Sequence, residues 1–165
     1  MAVCKIYKEA MRKRLITPCV PSRHEAVWLD IQATAAVEFT SEDDACPIEG
    51  AFALQDGQGW RASGPGVQTI RIVFDQPKHI RRINLVFHET ETKRTQEFVL
   101  RWSPGTERVF CEIVRQQWNF SPPQTEREVE DYVVDLANVH VLELVIAPDI
   151  SGGPARASLE SIRFG

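Results

Sequence analysis

The sequence predicts an all-β domain: an antiparallel β-sandwich of about eight or nine short strands with one short helical turn. Three observations carry this. Between Trp60 and Phe87, apolar and polar residues alternate with a period of two: Ile70, Ile72 and Phe74, then Ile83, Leu85 and Phe87. Alternation of β-branched and aromatic residues marks half-buried strands. Segments of this kind recur nearly to the C-terminus, separated by turn residues at roughly regular spacing, as in sandwiches and barrels. Little of the chain reads as helix.

Residues 1–25 read as a basic N-terminal extension, with Lys5, Lys8, Arg12, Lys13 and Arg14 around Ile6, Tyr7, Met11 and Leu15. Pro18 and Pro21 end any helix there. Such a segment is expected outside the core, with a basic amphipathic helix on an acidic membrane surface as the alternative. The domain is expected over 26–165. Residues 27–31 and 35–39 read as opening strands. Ser41-Glu42-Asp43-Asp44 has the form of a helix N-cap, and Pro47 and Gly50 restrict the next segment to a turn of helix over 48–54. Asp56-Gly57-Gln58-Gly59 is a tight loop. Two strands, 68–74 and 80–87, are expected on either side of a turn at Asp75-Gln76-Pro77-Lys78. Further strands are expected over 96–102, 108–118, 128–136, 139–146 and 159–164, broken at Ser103-Pro104-Gly105, Ser121-Pro122-Pro123 and Ser151-Gly152-Gly153-Pro154.

At 165 residues, one domain is the default, and a core of this size needs no disulfide or metal to hold it. The net charge of −4 is unevenly distributed. Residues 1–24 and 57–118 are net basic; residues 25–56 and 119–165 are net acidic. The four cysteines, Cys4, Cys19, Cys46 and Cys111, have no paired C-x2-C spacing. No secretory apolar run opens the chain, and no stretch approaches the ~20 apolar residues of a spanning helix. A cytoplasmic location with reduced thiols is therefore expected.

Catalytic patterns are missing. There is no G-x-S-x-G, H-E-x-x-H, P-loop or G-x-G-x-x-G sequence, and His24, His79, His88 and His140 are widely separated. A non-catalytic chain is expected, with no catalytic residue and no metal ligand assigned. Asp43, Asp44, Glu49 and Asp56 could supply oxygens to calcium, or form a solvated acidic loop.

One resemblance is visible. Pro47-Ile48-Glu49-Gly50-Ala51-Phe52, Asp56-Gly57, Trp60, Gln68 to Phe74 and Ile80 to Phe87 resemble the galactose-binding-like jelly roll. This superfamily includes discoidin or coagulation-factor type C domains and many carbohydrate-binding modules. Within it the chain looks most similar to the N-terminal domain of the X-ray-repair cross-complementing scaffold family. The shared residues are Ser41-Glu42-Asp43, Cys46, Glu49, Trp60-Arg61-Ala62, Gly66, Thr69-Ile70, Phe120-x-Pro122, Arg127 and Ile162-Arg163-Phe164. The resemblance spans about residues 34 to 164. It implies a jelly roll and, from the wider superfamily, a carbohydrate or small polyhydroxyl ligand. From the repair scaffold it implies a protein partner or gapped DNA. The closing run Leu159-Glu160-Ser161-Ile162 and the missing C-terminal cysteine depart from the discoidin pattern.

In a sandwich the strands hold a frame and the end loops recognise. Sugar sites combine an aromatic platform with planar polar groups that bond vicinal hydroxyls. The loop from His88 to Gln96, the Trp118-Asn119 pair, and the last loop supply such groups. The candidate ligand-binding residues are His88, Glu91, Arg94, Gln96, Trp118, Asn119, Asp149 and Arg156. Trp60 and Trp102 are expected in the core. A second candidate surface, for an acidic macromolecular partner, is the outward set Arg71, Arg82, Asn84 and Arg101.

Overall fold

The computed structural model describes residues 27–53 and 58–165. The basic N-terminal extension and Asp56 of the acidic loop lie outside the described residues. The elements are α1 (Ile31–Thr34), β1 (Ala35–Phe39), α2 (Glu49–Phe52), β2 (Trp60–Pro65), β3 (Gln68–His88), β4 (Arg94–Ser103), β5 (Cys111–Phe120), β6 (Arg127–Ala147), β7 (Arg156–Leu159) and β8 (Ser161–Phe164).

Two 21-residue strands organise the fold. β3 and β6 pair antiparallel along almost their whole length, with register breaks between Val73 and Arg82. The breaks let both strands pass from one layer of the sandwich into the other, because a bulge bends the strand that carries it. The first layer has the order β1, first half of β3, second half of β6, β4, β5. The second has β8, second half of β3, first half of β6. β2 and β7 form a separate two-stranded ribbon.

The alternation predicts the core directly. Ile70, Ile72, Ile80, Ile83, Leu85, Phe87, Phe98, Leu100, Leu142, Leu144 and Ile146 point between the layers and are essentially sealed from solvent. Phe87 and Phe98 meet across the gap, ring centroids 5.1 Å apart. Each such side chain contributes about 1.5–3 kcal/mol by leaving water. Trp60 is buried, its Nε1 donating to the Ser41 carbonyl at 3.1 Å; Trp102 packs partly against the core.

Four local expectations are corrected. Residues 27–31 are not a strand: Asp30 caps α1, its Oδ1 accepting from Ala33 N at 3.2 Å. Asp75 to Lys78 is not a turn between two strands. The backbone stays extended through Pro77 at the bend of β3, where missing ladder bonds make proline tolerable. Likewise the segments 128–136 and 139–146 are one strand, bent where Asn138 takes φ +58°. Ser41 does not cap α2; its hydroxyl bonds Gln68 Oε1 at 2.7 Å, and Glu42 Oε2 accepts from Ile48 N at 2.9 Å instead.

Gly59 shows how tightly the ribbon is set against its surroundings. It has φ +71°, and a Cβ there would lie 2.8 Å from the Leu159 carbonyl oxygen. Gly59→Ala is expected to destabilise by ~1–3 kcal/mol, since a left-handed backbone and a backbone clash add. In a thermal melt this reads as a Tm fall of roughly 2–4 °C per kcal/mol.

Candidate functional site

Because β3 and β6 cross between layers, several loops emerge at one end of the sandwich. His88 pairs with Arg127, Arg94 with Phe120, and Glu97 with Ala147. Ile150 N donates to the Thr95 carbonyl at 2.9 Å and Glu89 N to the Glu126 carbonyl at 2.8 Å. His88, Glu91, Arg94, Asn119, Asp149 and Arg156, scattered in sequence, therefore share this end. They do not form one surface, because several of them are spent on the fold itself.

Arg94 lies inside the fold. Its side chain is 0% exposed and forms an ion pair with the equally hidden Glu89 at 3.0 Å. Nη1 donates to the Pro148 carbonyl at 2.7 Å, and the guanidinium lies 5.2 Å from the Phe120 ring centroid. Glu89 Oε1 in turn accepts from Glu91 N and Thr92 N. Burial pulls the guanidinium pKa down, and Glu89 pulls it back up. Arg94 thus locks the 88–94 loop to the last loop from within.

Gln96 is fully buried on the inner face of β4, opposite Trp118 in the ladder. Trp118 points inward with it and packs partly against the core. Asn119, one residue on, points to the opposite face, where its Oδ1 accepts from Thr95 Oγ1 at 2.7 Å. The expected Trp118–Asn119 pair is split by strand alternation.

The remaining loop residues hold loops in place. Asp149 Oδ1 accepts from Ser151 Oγ at 2.5 Å and Ser151 N at 2.9 Å, which keeps its carboxyl below the usual range. Arg156 Nη1 donates to Asp43 Oδ2 at 2.7 Å. Asp43 also accepts from Ala45 N; both bonds lower its pKa. Among the described residues, no group of three or more His, Cys, Asp or Glu side chains is arranged to hold a metal.

A groove of about 560 Å³ runs over the outside of the three-stranded layer and reaches this end. Asn84, His88, Arg127, Glu160 and Arg163 line it, with Gln58 on its far wall. A smaller recess of about 160 Å³ continues it through His88 and Glu160 to Arg61 and Thr90. Its central feature is a fork. Arg127 Nη2 donates to Glu160 Oε1 at 2.8 Å and Nε to Oε2 at 3.2 Å, and the carboxylate raises the guanidinium pKa. His88 Nδ1 stands 3.9 Å from Glu160 Oε2, and Glu91 pairs with Arg61 at 3.5 Å on the rim. Of the eight predicted residues, His88 lines this groove, and Glu91 touches it through Arg61. Arg127 and Glu160 were missed as site residues: they lie 33 positions apart, and nothing in either segment announces the pairing.

The second predicted surface does not form one face. Arg71 and Arg101 point outward from the five-stranded layer, where Glu143, 1% exposed, receives both. Arg82 and Asn84 point outward from the other layer. Arg82 pairs with Asp131 and Asn84 donates to the Glu130 carbonyl at 3.1 Å. The bend of β3 sends the two halves of the set to opposite sides, and a carboxylate meets each arginine. Affinity for nucleic acid depends largely on lysines and arginines that neutralise phosphates.

No protein-family profile and no curated protein sequence matches the chain. Solved structures do. The family 32 carbohydrate-binding module of AlyQ, in complex with 4,5-unsaturated mannuronic acid, aligns at TM-score 0.61 and 14% identity over 85% of this chain and 98% of its own. A pectin-binding carbohydrate-binding module aligns at 0.59 and 13% over 80% and 90%. The family 32 module of NanJ from Clostridium perfringens, in complex with galactose, aligns at 0.58 and 13% over 79% and 92%. At such identities it is the fold alone that is shared: an antiparallel jelly-roll β-sandwich, as in these carbohydrate-binding modules.

Proposed function

We propose that the chain is a non-catalytic carbohydrate-binding module whose groove at His88, Arg127 and Glu160 takes an acidic, uronate-type sugar. The observation that carries this is the groove's balance of groups. Among the described residues, Arg61, Arg127, Arg163 and His88 line the continuous groove and recess together with Glu160, and Glu91 meets Arg61 on the rim. A carboxylated sugar complements that balance. The Arg127–Glu160 fork is already ordered, so little side-chain freedom is lost on binding. The guanidinium's remaining N–H groups and the carboxylate's remaining lone pairs can then bond neighbouring hydroxyls. Two of the three similar modules are described with uronate-type ligands, an unsaturated mannuronic acid and pectin, and one with galactose.

Amide-shift titration of the labelled domain with galacturonate and mannuronate oligomers, with galactose as comparison, tests this. Saturable shifts confined to 84–90, 127–129 and 158–161 are the expected result. Arg127→Ala is expected to weaken uronate binding ~10- to 100-fold, the worth of one charged hydrogen bond at ~1.5–3 kcal/mol. Silence toward every sugar at about 10 mM, weaker than the usual millimolar range, overturns the reading. Shifts from neutral galactose of equal size overturn its acidic part.

A further inference from the structure

The inner face of a sandwich is normally apolar. At one edge of this one it is not. Gln96 of β4, Gln116 and Trp118 of β5, and Glu128, Glu130 and Tyr132 of β6 all point between the layers, on the parity that buries Phe98, Leu100 and Phe120. β5 is the outermost strand of its layer, and the first half of β6 is the outermost of the other. The edge is therefore the open side of the sandwich. Gln96 and Glu128 are 0% and 1% exposed, and the other four are half-buried.

This cluster differs from the other buried acids among the described residues. Glu89 has Arg94, and Glu143 has Arg71 and Arg101. The half-buried Glu160 has Arg127. Among the described residues, Glu128 and Glu130 have Gln116, Tyr132 and a hydrogen bond to each other, with no cation paired to either. Gln116 Nε2 donates to Glu130 Oε1 and, at 3.4 Å, to Glu128 Oε1. Tyr132 OH lies 2.9 Å from Glu130 Oε2 and 3.0 Å from Gln116 Oε1. A phenol has one proton, so it can donate to only one of these two acceptors. Among the described residues, Glu128 Oε2 and Gln96 Oε1 have no donor, and Gln96 Nε2 and Trp118 Nε1 have no acceptor. The cluster lacks positive charge and donors, and beside them it lacks an acceptor or two.

We propose that this open edge between β5 and the first half of β6 is a binding slot for a small hydroxylated ammonium compound, an amino alcohol or amino sugar. The ammonium group supplies three N–H donors and the missing charge to Glu128, Glu130 and the Gln96 carbonyl oxygen. A hydroxyl on the same molecule accepts from Trp118 Nε1 or Gln96 Nε2. The Trp118 and Tyr132 rings add a cation–π wall. The site is separate from the groove, which lies on the outside of the three-stranded layer. With no ligand, a proton takes the cation's place: burial and then the Glu130 charge push Glu128 up to about 8. The groups facing it are Glu130 and Tyr132 on its own strand and the neutral Gln116, Trp118 and Gln96 opposite. Ammonium binding must expel that proton, so affinity rises as pH approaches 8.

The test is an amide and indole N–H titration of the intact chain with ethanolamine and with glucosamine, with glucose and N-acetylglucosamine as uncharged counterparts. The Trp118 indole and Gln96 side-chain amide signals are expected to shift saturably with the amines only. For ethanolamine, whose ammonium group keeps its proton through this range, the apparent Kd should fall up to about tenfold per pH unit between about pH 6 and 8, the limit for one displaced proton. Response to ethanolamine alone marks the amino-alcohol source; a tighter response to glucosamine marks the amino sugar. Glu128→Gln and Glu130→Gln should each keep a dispersed spectrum and lose at least tenfold in affinity. Shifts of equal size with glucose, silence at about 100 mM amine, far weaker than millimolar binding, or a response to calcium but not to amines would each overturn the proposal. None of these outcomes bears on uronate binding at Arg127.

Discussion

Arg94→Ala is expected to destabilise the domain by ~3–5 kcal/mol, as much as truncating a large core side chain. Removing one partner of a hidden ion pair leaves the other charge unpaired. Here Glu89 would remain at 4% exposure with only two backbone donors for its carboxylate. The substitution also removes the Pro148 carbonyl's donor and the cation over Phe120. Two loops joined through this side chain lose that connection. The urea midpoint reads the loss, and a second variant separates its causes. Arg94→Met with Glu89→Gln removes both charges while keeping similar volume, and is expected to regain more than half the stability, because no bare charge is left. If Arg94→Ala instead unfolds at the wild-type midpoint and loses only ligand binding, the guanidinium acts on a ligand and not on the fold.

Arg94 also shows what the sequence could and could not convey. It sits in a polar run, His88-Glu89-Thr90-Glu91-Thr92-Lys93-Arg94, that has the composition of a solvated loop. Parity, however, is legible. Arg94 and Gln96 share the alternation of Phe98 and Leu100, so an inward direction follows once β4 is extended two residues upstream. The same reasoning reaches Glu128 and Glu130, which share the parity of Tyr132 and Val134. Core positions were legible because burial of apolar groups imposes a period that is local in sequence. The Arg127–Glu160 fork and the common end of the loops were not, because both depend on β3 and β6 crossing between layers. That crossing is encoded by register irregularities, not by any residue pattern; a turn at Asp75-Gln76-Pro77-Lys78 reads just as well from composition. The scattered surface set of Arg71, Arg82, Asn84 and Arg101 failed for the same reason: one bend in β3 reverses which side of the molecule an outward residue faces.

Glu128→Gln is expected to raise stability at alkaline pH and leave it nearly unchanged at acidic pH. The Glu128 carboxyl titrates near 8 in the fold against about 4.5 in the unfolded chain. Between these values the folded state holds more protons than the unfolded one, so stability falls as pH rises through that window. Below it both states are protonated and nothing is lost; above it the full penalty of a hidden carboxylate beside Glu130 applies. The slope is at most about 1.4 kcal/mol per pH unit for one proton, and the whole loss is on the order of 2–4 kcal/mol for a carboxylate at this edge. Glutamine has the same shape and no proton to release, so the variant's stability should stay level from about pH 5 to 9 while the wild type declines. The acid limb has other causes. Asp43, Glu97, Asp131 and Asp149 all titrate below the usual carboxylate range because of hydrogen bonds they accept. Their contribution is present above the ordinary carboxylate pKa and is lost as pH falls through their lowered values, in wild type and variant alike. Urea midpoints measured across the range distinguish the two limbs. Parallel profiles for wild type and Glu128→Gln above pH 5 would mean that Glu128 is ionised in the fold, and that Gln116 and Tyr132 alone compensate two adjacent carboxylates.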